Sequence, residues 1–167
     1  MKKIYFIVVL FFSLQNYAQK TFEVYNFTGQ TVTLYDIITN TSSGGYPEYH
    51  SKPFGGVPIP PGESYTLENT ANIFRFPFHS PASVPYIDIW ERLDSATSST
   101  TTIVSSNVAW VLGNNQVFKS LIFSVGSSWN NLTPTGPNAT IIGSGWTLDY
   151  SHTVPATNTA FYTIVIY

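Results

Sequence analysis

Eleven glycines and eleven prolines interrupt this chain at nearly every interval. No stretch of ten or more residues keeps a 3.6-residue apolar period, so helix is expected to be minor. Between the breaks, from Thr21 onward, lie short runs rich in Val, Ile, Thr, Tyr and Phe, the side chains that suit a pleated, half-buried surface. They fall at 22–27, 31–38, 64–68, 73–78, 86–92, 100–105, 108–112, 118–125, 146–150 and 161–167. Such spacing predicts an all-β fold, an antiparallel two-sheet β-sandwich of immunoglobulin-like or jelly-roll type with about ten short strands. The first two runs flank Thr28-Gly29-Gln30, which reads as a hairpin with Phe22, Val24, Val32 and Leu34 on one face. The expected core is Val24, Val32, Leu34, Ile87, Ile89, Trp110, Leu121, Phe123, Leu148 and Val165. No internal repeat is evident.

Residues 59–67, Ile-Pro-Pro-Gly-Glu-Ser-Tyr-Thr-Leu, resemble the Pro-Gly turn that opens a strand in many secreted immunoglobulin-like domains. The likeness covers nine residues, and its physics is that proline supplies no ladder hydrogen while Pro-Gly favours a tight turn.

Met1-Lys2-Lys3, an apolar run from Ile4 to Leu14 and a closing Ala18 have the layout of a Sec signal peptide, and the two-lysine start resembles bacterial leaders. Residues 1–18 are read as that leader and 19–167 as a single β-sandwich domain. The apolar run of about 11 residues is too short to span a bilayer, so no membrane span is expected in the mature chain. The expected destination is secreted, periplasmic or cell-surface. The chain has no cysteine, which excludes thiol catalysis, cysteine metal sites and a lipidated N-terminal cysteine, and leaves stability to the core alone. Losing the two leader lysines takes the formal charge from −2 to −4, against any nucleic-acid role.

Enzymatic signatures are sparse. There is no Gly-x-Ser-x-Gly elbow, phosphate loop or dinucleotide fingerprint. Glu48-x-His50 and Asp149-x-x-His152 are the only close His–carboxylate pairings, and neither is a ligand signature. Asp88, Glu91 and Asp94 cluster, but period two sets Asp88 and Glu91 on opposite faces, so they do not form a glycosidase pair locally. The reading is therefore non-enzymatic, with no cofactor and no metal. An enzyme requires His50, His79 or His152 to converge with carboxylates in a cleft.

A binding surface is better motivated. If Ile87 and Ile89 point inward, Tyr86, Asp88, Trp90 and Arg92 line the outer face, with Tyr86 and Trp90 roughly 13 Å apart. Rings can meet the apolar faces of sugars while the charged groups bind hydroxyls. The Gly- and Pro-rich connection from 39 to 63 predicts a long loop bearing Tyr46, Glu48, Tyr49, His50, Lys52 and Phe54, either a binding loop or a flap. Trp129, in the polar stretch Ser127-Ser128-Trp129-Asn130-Asn131, is either an anchor or a cap. Trp110 and Trp146 read as core anchors, and the nine Ser or Thr among residues 95–106 as a solvated edge strand and turn.

The leading expectation is a secreted binding module for a glycan or surface protein, acting through exposed aromatics. The alternative is a structural or protein-interaction component of the cell envelope. A third reading is a small outer-membrane β-barrel, suggested by the aromatic end of 161–167 but opposed by the prolines and continuous apolar runs.

Overall fold

The computed structural model describes residues 19–51, 56–69, 75–80, 83–113, 115–156 and 159–167. The expected leader lies outside them, as do Lys52, Phe54, Ile73 and Phe74. One sheet contains β1 (Gln19–Asn26), β5 (Ser64–Asn69), β10 (Asn138–Ile142), β11 (Thr147–Ala156) and β12 (Thr159–Ile166), in the order β10-β11-β12-β1-β5. The second contains β2 (Val32–Thr41), β3 (Glu48–His50), β4 (Val57–Ile59), β6 (Ile89–Leu93), β7 (Thr102–Ser105), β8 (Gln116–Val125) and β9 (Ser128–Leu132). Its order is β7-β6-β3-β2-β8-β9, with β4 also paired to β2. Neighbours are antiparallel except β1 and β12, which run parallel. Both sheets end in edge strands, so the fold is the expected all-β sandwich and not a closed barrel. Among the described residues no helix is long and apolar enough to cross a membrane.

The expected hairpin between 22–27 and 31–38 is corrected: its two strands, β1 and β2, lie in opposite sheets. Both edges of β1 are occupied, by β12 and β5, so the chain crosses the sandwich as an arch. Asn26, fully buried, holds it. Its Nδ2 donates to Gln30 O and Ile59 O, each at 2.8 Å, and its Oδ1 accepts from Thr28 N at 3.0 Å and Thr28 Oγ1 at 2.7 Å. Every polar group on this side chain is thereby satisfied in the interior, where an orphan costs most.

Run 108–112, expected as a strand, belongs to α1 (Ser106–Leu112). Ser105 Oγ caps Val108 N, Gly113 N closes on Ala109 O at 2.7 Å, and Arg75 donates to the last-turn carbonyls of Trp110 and Val111. These end contacts outweigh an apolar alternation that also fits a strand. The expected long loop is also shortened, because β2 continues to Thr41 and both β3 and β4 form along one edge of it. The hydroxyl-rich tract leads into β7, an edge strand as expected.

The core is aromatic. Phe78 meets Trp90 edge-on at 4.8 Å and Tyr49 at 4.9 Å, while Phe22 meets Phe118 at 5.2 Å. Val24, Val32, Leu34, Ile87, Leu121, Phe123 and Leu148 are buried as expected, and Trp146 with them. Three assignments are corrected: Ile89 is 50% exposed, Val165 faces outward between buried Ile164 and Ile166, and Trp110 is only half-buried, under the Arg75 guanidinium.

Lys20 also points between the sheets, where Nζ donates to Gln116 O at 2.8 Å and burial holds the amine down at about 8. The unfolded chain therefore binds more protons above pH 8, and stability rises with pH there. The upper limit is near pH 10, beyond which the buried Tyr65, Tyr150 and Tyr162, held above their ordinary value of 10.0, oppose it. In chemical denaturation the stability of the wild type relative to Lys20→Met, in which the tyrosine contributions cancel, is expected to rise by about 2 kcal/mol between pH 8 and 10; equal pH profiles would refute the assignment. In the same assay Phe123→Ala should cost about 3–5 kcal/mol.

Candidate functional site

The surface expected on 86–92 does not form. Trp90 is 0% exposed, with Nε1 donating to Phe78 O at 3.2 Å, so it belongs to the core and not to a ligand platform. Tyr86 is exposed and its hydroxyl lies 2.7 Å from His79 Nδ1 and against Ser106 Oγ. Asp88 is exposed, and Arg92 pairs with Asp94 at 2.7 Å. The cause is that β6 begins only at Ile89, while Asp88 O accepts from Ser106 N. Strand alternation thus does not run from 86 to 90, and Ile87 and Trp90 both turn inward.

Tyr49 is likewise removed from any ligand role. It is fully buried on β3, its hydroxyl has no hydrogen-bond partner among the described residues, and burial pushes that phenol up. Tyr46 stands exposed just before β3. Because Tyr49 faces in, its neighbours Glu48 and His50 face out, onto the outer surface of the larger sheet.

Two β-bulges shape that surface. Leu34 pairs with Phe123 and Asp36 with Ile122, so Tyr35 is an extra residue on β2; Ile38 pairs with Ser120 and Thr39 with Phe118, so Lys119 is an extra residue on β8. Each bulge breaks the two-residue period and turns two consecutive side chains outward: Tyr35 with Asp36, and Lys119 with Ser120. Opposite the first bulge Ser51 takes over the ladder, its Oγ accepting from Ile37 N at 2.7 Å and its N–H donating to Ile37 O at 3.1 Å.

The result is a continuous strip. Lys119 Nζ reaches across β2 to Glu48 Oε1 at 2.6 Å, Glu48 Oε2 lies 3.7 Å from His50 Nε2, and His50 Nδ1 meets Asp36 Oδ2 at 2.8 Å. Beside Asp36, the Tyr35 ring lies under Trp129 of β9, with centroids 4.0 Å apart and planes 19° from parallel. Trp129 remains 63% exposed. Ser124, which registers with both Trp129 and Thr33, is buried with its hydroxyl unpartnered among the described residues.

Of this strip the sequence pattern points to Trp129 and His50 but not to Tyr35, Asp36 and Lys119, whose direction depends on the bulges. The pattern Leu34-x-x-Ile37 and Phe118-x-x-Leu121, buried pairs three apart, carried that signal. His50 does meet carboxylates, those of the buried Asp36 and Glu48, and the nitrogen not bonded to Asp36 is directed at Glu48. Of the other histidines, His152 stacks on Tyr162 at 4.6 Å, held low by burial and then by the Lys20 charge. A cleft of about 430 Å3 borders β5, where Ser80 and Ser83 bond Glu68 N and Thr66 O and so close part of that edge. Among the described residues no three His, Asp or Glu side chains are grouped to hold a metal ion.

Gly56 fixes the platform from behind. Its φ is +79°, and a Cβ there would lie 2.6 Å from Thr33 Cγ2 and 3.2 Å from Tyr35 Cδ1. Gly56→Ala is expected to cost about 1–3 kcal/mol and to shift the Trp129 indole resonance. If both stay at wild-type values, Gly56 does not position Tyr35. Searches of protein-family profiles, curated proteins and solved structures each find no match for this chain.

Proposed function

We propose that this chain is an exported, non-enzymatic binding module that recognises a glycan through the outer face of its larger sheet. The observation that carries the reading is the Tyr35–Trp129 stack, which holds an exposed indole flat and ready against solvent. Fixing a large ring before a ligand arrives removes the ordering cost of binding, and its apolar face suits the C–H face of a pyranose. Asn131, exposed two residues along the same strand and so on the same face, supplies a hydrogen-bonding amide beside it. Export rests on the leader at 1–18, and the glycan sits outside the cell in this reading.

The second reading, a structural or protein-interaction component of the envelope, is favoured by β7. This edge strand carries no charge and presents Ile103 to solvent, the kind of edge another strand pairs with.

Affinity electrophoresis through a panel of soluble polysaccharides tests the first. Trp129→Ala should abolish retardation while changing stability by less than about 1 kcal/mol, as for a ring that leaves no core cavity. A wild-type protein retarded by none of the panel, or a variant retarded equally, would remove the glycan reading.

A further inference from the structure

The smaller sheet carries a second aromatic surface, on the opposite side of the sandwich from Trp129. Asn26, Ile164, Ile166, Leu148 and Tyr150 all turn inward. Tyr25, Phe27, Val165, Tyr167 and Asp149 therefore face out. Tyr25 registers with Val165, Val165 with Asp149, and Asp149 with Thr140, so one row crosses four strands. Tyr167 bonds Thr147 in both backbone directions and Phe27 N donates to Ile166 O at 2.7 Å, which extends the surface by a second row. The Tyr25 and Phe27 rings lie 6.2 Å apart and 8° from parallel. Phe27 is 62% and Tyr167 54% exposed.

Each tyrosine on this face is tied to a carboxylate. Tyr25 donates to Glu23 Oε2 at 3.1 Å and Tyr167 to Asp149 Oδ2 at 2.9 Å, while Thr140 Oγ1 donates to Asp149 Oδ1 at 2.6 Å. Those bonds orient the carboxylates yet leave further lone pairs on their oxygens. Among the described residues no cation shares the face. Lys20 turns inward to Gln116 O, His152 stacks on buried Tyr162, Arg75 is held over Trp110 at the end of α1, and Arg92 and Lys119 belong to the other sheet. Rings with negative faces, set among oriented carboxylates, complement an ammonium group.

We propose that this face, built on Tyr25, Phe27, Tyr167 and Asp149, is a second ligand site and that it takes a sugar chain bearing free amino groups. A sugar chain fits better than a lysine-rich peptide because β1, β11 and β12 have both edges paired, leaving no backbone for an extended peptide to join. Flat exposed rings remain, and these suit pyranose faces. The Thr140 and Tyr167 hydrogen bonds also hold the Asp149 carboxyl below its ordinary value, which favours its charged form. The site does not depend on Trp129, so it stands or falls separately from the glycan reading of the larger sheet.

Calorimetry of the whole mature chain with a glucosamine hexamer, its N-acetylated counterpart and a lysine hexamer tests the assignment. The free-amine sugar should bind at least about tenfold tighter than the acetylated one, the scale of one charge-assisted hydrogen bond. Asp149→Asn and Tyr167→Ala should each weaken it, whereas Trp129→Ala should leave it unchanged. Asp149→Asn is isosteric and solvent-facing, and its melting temperature reports that the fold is intact. Equal affinity for the acetylated hexamer, tighter binding of the lysine hexamer, no binding of any probe, or a loss confined to Trp129→Ala would each overturn the proposal.

Discussion

Asn26 is the point at which the two sheets become one structure. Its side chain reaches Ile59 of the larger sheet, its backbone N–H donates to Glu63 O beside β5, and its carbonyl accepts from Gly62 N. A single buried amide thus ties the arch, the Pro-Gly turn and both layers together. Without disulfides to fix the layers, their alignment depends on such a satisfied polar contact and on the aromatic core packed between them. The rest follows from that registration, including the direction in which each strand presents its outer residues.

Strand content, sandwich class and most of the core were readable because alternating Val, Ile, Tyr and Phe between Gly and Pro breaks carry both. The failures were of phase and of pairing, apart from run 108–112, where the same apolar residues fit a strand or the helix that forms. A three-residue linker with a glycine serves a hairpin or an arch equally well; what decided it was the hydrogen bonding between Asn26 and Thr28, together with the partners already occupying β1. Likewise Tyr86 to Arg92 looks evenly alternating, but the alternation holds only inside a strand, and β6 starts three residues late. Trp90 then becomes core and Ile89 surface.

The candidate surfaces show the same limit from the other side. Trp129 announced itself by its polar surroundings, whereas Tyr35 and Lys119 are surface residues through bulges that add one residue to each of two paired strands. The additions are reciprocal, so the strands return to register beyond them. On the smaller sheet no bulge intervenes at Tyr25 or Asp149, and simple parity would have set these two outward; what the sequence lacked was the knowledge that β1 and β12 are neighbours. Long-range pairing between the two ends of a domain leaves no local mark.

That pairing also determines how the domain bears load. β1 and β12 run parallel through eight registered pairs, from Gln19↔Thr159 to Asn26↔Ile166. A pull on the start of β1 and the end of β12 is directed along the strands in opposite senses. The evenly spaced, slanted bonds of a parallel pair are then sheared together, not peeled apart one by one. Resistance to such a pull is governed by the rate of forced opening rather than by equilibrium stability, and here it is concentrated at the seam in the middle of the smaller sheet.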